Sequence, residues 1–239
     1  LEILNRLTDV SAADWNALLD SDAGPFLKYE FLSALEETGC VGNNTGWQVA
    51  HLVLKQGGQL VGAMPLYLKR HSYGEFVFDW SWAQAYEQQG LNYYPKVLCA
   101  IPFTPVQGSR ILNNGDVDAS LVEKHLIKGL KTIVLQNNLS SAHVLFPYVT
   151  EVKEFQNQGF MLRDSVQFHW HNQGFENFEQ FLTVLTMKRR KNIRREREQV
   201  ARELISFRHV SGESSTDADW EFFYRCYANT YLEHRSNPY

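Results

Sequence analysis

Gln48-Val49-Ala50-His51-Leu52-Val53-Leu54-Lys55-Gln56, then Gly57-Gly58, then Gln59-Leu60-Val61-Gly62-Ala63-Met64-Pro65-Leu66-Tyr67-Leu68-Lys69, is the stretch whose reading decides the fold class. Two runs rich in apolar and β-branched residues flank a Gly-Gly pair, the composition of a tight hairpin. Antiparallel strands are therefore expected at 48–55 and 59–69. Upstream, residues 1–7 read as a strand, Ser11 caps a short helix through Asp14, Trp15 and Leu19, and a second helix covers 29–37. Downstream, an extended stretch is expected at 73–79, then an irregular aromatic segment, then a strand at 96–101. Pro102 and Pro105 interrupt pairing there, because neither can donate to a ladder. A helix at 117–138, a buried strand at 142–146, a helix near 149–158 and extended pieces at 160–163 and 166–171 complete the order. This predicts an α/β chain of the α+β type: a mixed, mostly antiparallel sheet flanked by helices.

Bulk properties narrow the function classes. The 239 residues are 44% hydrophobic and 21% charged with a net charge of -4, so this is no polycation built for nucleic acid. Cys40, Cys99 and Cys226 are odd in number and lack metal-ligand or disulfide spacing, which fits reduced thiols in a cytoplasmic protein. No apolar run reaches the roughly 18 residues of a membrane-spanning helix, and no signal-peptide pattern opens the chain. A lipid-linked substrate would be met from the cytoplasmic side. The first residue is Leu, so the natural start is expected to lie further upstream.

A repeat is visible. A strand at 1–7 precedes Ser11-Ala12-Ala13-Asp14-Trp15, and an expected strand at 204–210 precedes Ser215-Thr216-Asp217-Ala218-Asp219-Trp220. The second copy stops after two elements, too few to bury a core, which predicts a longer natural protein. A strand at 204–210 without neighbours predicts homodimerisation by edge pairing.

Three constellations carry candidate chemistry. Residues 73–94 hold eight aromatics in 22 positions, Tyr73, Phe76, Phe78, Trp80, Trp82, Tyr86, Tyr93 and Tyr94, against a chain average of 13%. They read equally well as a core plug or as a groove gripping a polar ligand, with Asp79, Ser81, Glu87 and Lys96 threaded among them. Asp79, between Phe78 and Trp80, is the candidate catalytic residue. Desolvation would raise its pKa and let it accept a proton from an amine nucleophile. Lys69, Tyr73, Trp80, Trp82, Tyr86, Tyr94 and Lys96 are the candidate substrate-binding residues around it. Residues 188–202 carry eight basic residues and two acids, leaving the rest of the chain ten charges negative. The bland reading is a solvated linker helix. The excess also suits a diphosphate or tRNA phosphate, with Arg189, Arg190, Arg194 and Arg195 within reach of one ligand. His169 and His171 share one face of an expected strand without further metal ligands, and His71 and His143 stand alone, so all four read as satisfied histidines. No metal site is expected.

Residues 62–69 and 71–83, then Tyr93-Tyr94-Pro95-Lys96, Pro102-Phe103-Thr104-Pro105-Val106-Gln107-Gly108 and Lys188-Arg189-Arg190-Lys191-Asn192-Ile193-Arg194-Arg195-Glu196-Arg197, resemble the FemAB-like family tied to peptidoglycan biosynthesis or recognition. The element order also resembles that of GNAT acyltransferases. The resemblance implies a first GNAT-like domain at 1–173, a basic helical connector at 174–203, and the start of a second, incomplete GNAT-like repeat at 204–239. It implies acyl or aminoacyl transfer to an amine of a small-molecule or lipid-linked cell-wall precursor, with aminoacyl-tRNA or acyl-CoA as candidate donor. Such transfer needs a deprotonated amine, an in-line acyl group and an amide to steady the oxyanion. The alternatives are a non-catalytic recognition module and a CoA-dependent N-acyltransferase. The pyrophosphate-binding turn of CoA users is present only as Gln107-Gly108-Ser109-Arg110 and Asn113-Asn114-Gly115, which argues against CoA in this half.

Overall fold

Gly57 and Gly58 take positive φ, 58° and 87°, and so close the hairpin between β3 (His51–Gln56) and β4 (Gln59–Met64). The computed structural model describes residues 1–239 except Asn43, Phe78, Asn237 and Tyr239. Both hairpin arms continue beyond one sheet. β2 (Trp47–Val49) runs into β3 through Ala50, and β4 runs into β5 (Leu66–Lys69) through Pro65. Pro65 has no N–H to donate, and at this corner the Leu66 amide turns instead to His51 Nδ1 (3.2 Å) while the Ala50 amide donates to the Leu66 carbonyl (2.9 Å). The two expected long strands are thereby each divided between two sheets.

The first sheet has the order β1-β3-β4-β7, with β1 at Glu2–Leu4 and β7 at Leu112–Asn113, all antiparallel. The second has the order β2-β5-β6-β8, with β6 at Lys96–Cys99 and β8 at Ala142–Val144. Its β6–β8 pair is parallel and the rest antiparallel, so 142–144 shares a sheet with both hairpin arms. Between β6 and β7 the chain makes an excursion over 100–111, through the region of Pro102 and Pro105.

Alternation along the strands serves two helical layers. Leu52 and Met64 face α4 (Ala119–Gln136), which buries Val122, Leu126, Ile127, Leu130 and Ile133 against them. Each such side chain contributes about 2 kcal/mol of apolar burial. Gly62 leaves room for this approach, since a Cβ there would meet Val122. Val53 and Ala63 face the other way, toward Trp15 of α1 (Ala12–Asn16) and Leu32 of α2 (Tyr29–Glu37). The architecture is α+β, with mostly antiparallel sheets flanked by helices.

Several expectations change. Residues 73–79 form no strand among those described, and a helix not foreseen, α3 (Trp80–Gln88), occupies the aromatic segment. After α5 (Val149–Asn157), residues 160–171 and 204–210 also form no strand, because no neighbouring strand offers them a ladder. The dimer expected from an unpaired strand at 204–210 thus loses its structural premise.

The chain divides into two compact units, Leu1–Arg163 and Asp164–Pro238, so residues 164–173 fall in the second. That unit holds α6 (Phe178–Thr183), α7 (Met187–Arg202) and α8 (Asp217–Glu233). Its side chains are mostly exposed; Leu182 is fully covered.

Candidate functional site

The β5–β6 register sets Lys69 directly opposite Lys96, and both side chains are buried. Two lysines side by side in a sheet need anions, and the segment linking the strands supplies them. Lys96 Nζ donates to Glu75 Oε2 (2.8 Å), Asp79 Oδ2 (2.5 Å) and Ser72 Oγ (3.0 Å). Asp79 Oδ2 also accepts the Tyr93 hydroxyl (2.6 Å), and Ser72 Oγ meets the Tyr94 hydroxyl (2.7 Å). Lys69 Nζ lies 3.5 Å from the centre of the Trp47 ring and donates to the Tyr73 carbonyl (3.1 Å). Trp47 Nε1 donates to that same carbonyl (3.2 Å). The segment 70–79 is thus tied to the sheet by two lysines and an indole. His143 Nε2 continues the network, 2.9 Å from Ser141 Oγ and 3.4 Å from the Tyr93 hydroxyl.

Charge states follow from burial and neighbours. Burial alone would raise the Asp79 pKa, but Lys96, Ser72 and Tyr93 together hold it below the ordinary carboxylate value. The expected proton acceptor is instead a fixed anion: a carboxyl kept ionised by an ammonium partner is a weak base. Asp79 also stands at the N-cap position of α3 yet makes no capping bond, because its carboxylate is drawn to Lys96. Burial pushes Glu75 up, against the pull of Lys96 and Lys69. Burial, reinforced by the Lys96 charge and opposed by Glu75 and Asp79, brings Lys69 down to about 7. His143 is lowered to about 4 by burial and by Lys96, so it is neutral at neutral pH. Glu75 Oε1 and Asp79 Oδ1 are buried with no hydrogen-bond partner among the described residues, an arrangement that favours a donor-rich neighbour.

The aromatic stretch resolves into two layers. Tyr93 is buried, with Tyr94 and Tyr86 half-covered, and Tyr86 and Tyr93 meet edge to face at 5.2 Å. Tyr73, Trp80 and Trp82 are 57%, 45% and 48% exposed, and Tyr73 and Trp80 meet edge to face at 5.2 Å. The inner rings are packed as a plug, and the outer rings are exposed. Phe78 lies outside the described residues. Lys69, Lys96 and Asp79, expected to touch a ligand, are the buried support of the ring-bearing segment. Ser72, Glu75, Tyr93, His143 and Trp47 were missed as members. The one available signal was Glu75 and Asp79, two acids spaced four apart between two strand lysines.

The expected fragments of a pyrophosphate turn have another use. The Arg110 and Ile111 amides and the Ser109 hydroxyl all donate to the Glu151 carboxylate of α5, and the Gly108 amide donates to the Phe146 carbonyl. Arg110 is fully buried, and its guanidinium serves the carbonyls of Val106, Ser109 and Leu145. A side-chain carboxylate occupies the cradle, so the pyrophosphate of CoA does not fit there.

In the second unit the expected arginines part company. Arg190 donates to the Thr183 carbonyl (3.1 Å) and Arg194 pairs with Glu179 (2.6 Å), both turned onto α6. Arg189 and Arg195 are exposed without an ion pair among the described residues. His169 and His171 stack at 6.2 Å in a segment that is not a strand.

A family profile described as FemAB-like, peptidoglycan biosynthesis or recognition, matches residues 6–239. No curated protein and no solved structure matches the chain.

Proposed function

We propose, on the premise that the chain belongs to the FemAB-like family of peptidoglycan biosynthesis or recognition, that it recognises a peptidoglycan-type precursor on the exposed, mutually packed rings of Tyr73 and Trp80. The observation that supports this reading is a layered one: bare aromatic faces carried on a segment whose underside is locked by Lys96, Glu75, Asp79 and Lys69. Rings grip sugar or peptide groups through their apolar faces, and a prefixed segment loses little freedom on binding. The experiment is a titration of a nucleotide-linked muramyl peptide, followed by tryptophan fluorescence. Tyr73→Ala combined with Trp80→Ala should weaken binding tenfold or more with little change in the unfolding midpoint. Equal affinity of the double variant and the native chain would overturn the reading.

A second reading keeps the transfer chemistry of the Fem relatives: acyl or aminoacyl transfer to an amine of the same precursor. The family description, which names biosynthesis beside recognition, supports it, with Lys69 kept as buried support against Trp47 and the Tyr73 carbonyl. Asp79 then serves as positioning residue for the ring-bearing segment. Aminoacyl-tRNA is the donor this reading prefers, since an acyl-CoA would need a pyrophosphate site other than the amides held by Glu151. Asp79→Asn should lower stability and affinity together. A loss confined to turnover would return the role of proton acceptor to Asp79.

A further inference from the structure

Helix α7 carries eight basic residues and two acids, and the second unit sorts them by face. Arg190 and Arg194 are engaged with Thr183 and Glu179, and the Arg197 guanidinium lies 4.3 Å from the centre of the Phe178 ring. These three sit at i, i+4 and i+7, the side of the helix turned onto α6. Arg202 lies 3.7 Å from Glu198 within α7 itself. Lys188, Lys191 and Arg195, at i, i+3 and i+7, fall on a different face; all three are exposed, and none has an ion pair among the described residues. The row spans about 10 Å of helix. Met187, one turn before Lys191 on the same side, is 77% exposed.

We infer that this face of α7 docks on an anionic phospholipid surface. Charge complementarity carries the argument. The rest of the chain sums to ten negative charges, so an anionic sheet attracts this helix against a net repulsion of the remainder. A straight row of three cations meets headgroup phosphates without bending, and Met187 enters the headgroup layer beside them. Against a nucleic acid the same methionine would stay in water. Glu198, the acid further along this side, lies 3.7 Å from Arg202.

The test is co-sedimentation of the full chain with vesicles of phosphatidylcholine containing a third of phosphatidylglycerol, and with vesicles of phosphatidylcholine alone. Binding is expected only to the anionic vesicles, falling as salt is raised. Each cation removed should weaken it about fivefold, and the triple variant Lys188→Gln, Lys191→Gln, Arg195→Gln about a hundredfold. The pair Lys124→Gln, Lys128→Gln on α4 removes comparable exposed charge from the first unit and should leave binding unchanged. Should the triple variant unfold, Lys191→Gln alone carries the test. Equal binding to both vesicles, no binding to either, or equal losses in the α4 and α7 variants would overturn the inference. So would a short RNA held through these residues more tightly than the anionic vesicles.

Discussion

The chain opens a helix twice with the same local device and obtains two different results. In the first unit Ser11 Oγ accepts the Asp14 amide (3.0 Å) and donates to the Asp14 carboxylate (2.7 Å), with Trp15 next. In the second, Thr216 and Asp219 cap each other reciprocally, with Trp220 next. Trp15 is fully buried, donates to the Leu27 carbonyl (3.0 Å) and packs on His51. Trp220 is 57% exposed, and its indole N–H stays local, on Ser215 Oγ (3.0 Å). The preceding segments differ likewise: Glu2–Leu4 is paired with β3, whereas Leu204 and Phe207, in a stretch that forms no strand, are 91% and 78% exposed. A cap determines that a helix starts; only a partner surface determines that it is buried.

The largest expected differences test that contrast directly. Trp15→Ala should destabilise the first unit by about 3 to 5 kcal/mol, through lost burial and the cavity left behind. Trp220→Ala should change stability by no more than about 0.5 kcal/mol. Urea unfolding of the two variants measures both, and equal losses would mean that α8 is covered in solution. Lysines give the same contrast with charge. Lys96→Met strands two buried carboxylates and should cost about 3 to 5 kcal/mol, whereas Lys191→Met on open α7 should be nearly neutral.

A smaller effect separates the units by pH. Lys69 titrates near 7 when folded, well below its ordinary value of 10.5. Between those values the unfolded chain binds a proton that the native one does not, so stability rises with pH across that window. Lys69→Met should flatten the rise in urea midpoints measured from pH 7 to 10. In the second unit, Thr216 and Arg208 hold Asp219 down to about 2. Its contribution is present above about pH 4 and is lost as pH falls toward 2. A titration of α8 helicity that showed its break near pH 7 instead would blur the distinction.

These differences also explain what could be read in advance. The hairpin was legible because Gly57-Gly58 and its flanking strands agree locally and globally. The corner at Ala50 and Pro65 was not, since it depends on His51 meeting the Leu66 amide. Helix α3 was hidden because its N-cap residue, Asp79, spends its carboxylate on a lysine seventeen residues away. The aromatic segment and both lysines were found as a group, but their order from inside to outside depends on the cross-strand register of Lys69 and Lys96. Residues 204–210 show the converse. Their composition suits a strand, and a strand without a neighbour does not form.

The smallest prediction returns to the two caps. Ser11→Ala and Thr216→Ala each remove one side-chain acceptor from a helix amide, and each should cost about 1 kcal/mol where the helix is formed. The loss should be read differently in the two places. α1 is five residues long, far too short to stand alone, and Trp15 couples it to the core shared by Leu4, Leu7 and Leu32. Weakening its cap should therefore lower the global urea midpoint of the first unit. α8 is seventeen residues long with no buried side chain, so its ends open without the rest. Thr216→Ala should leave the global midpoint in place and speed amide exchange only over the first turns of α8. Exchange that quickened throughout the second unit would show α8 folding as one cooperative piece with α6 and α7.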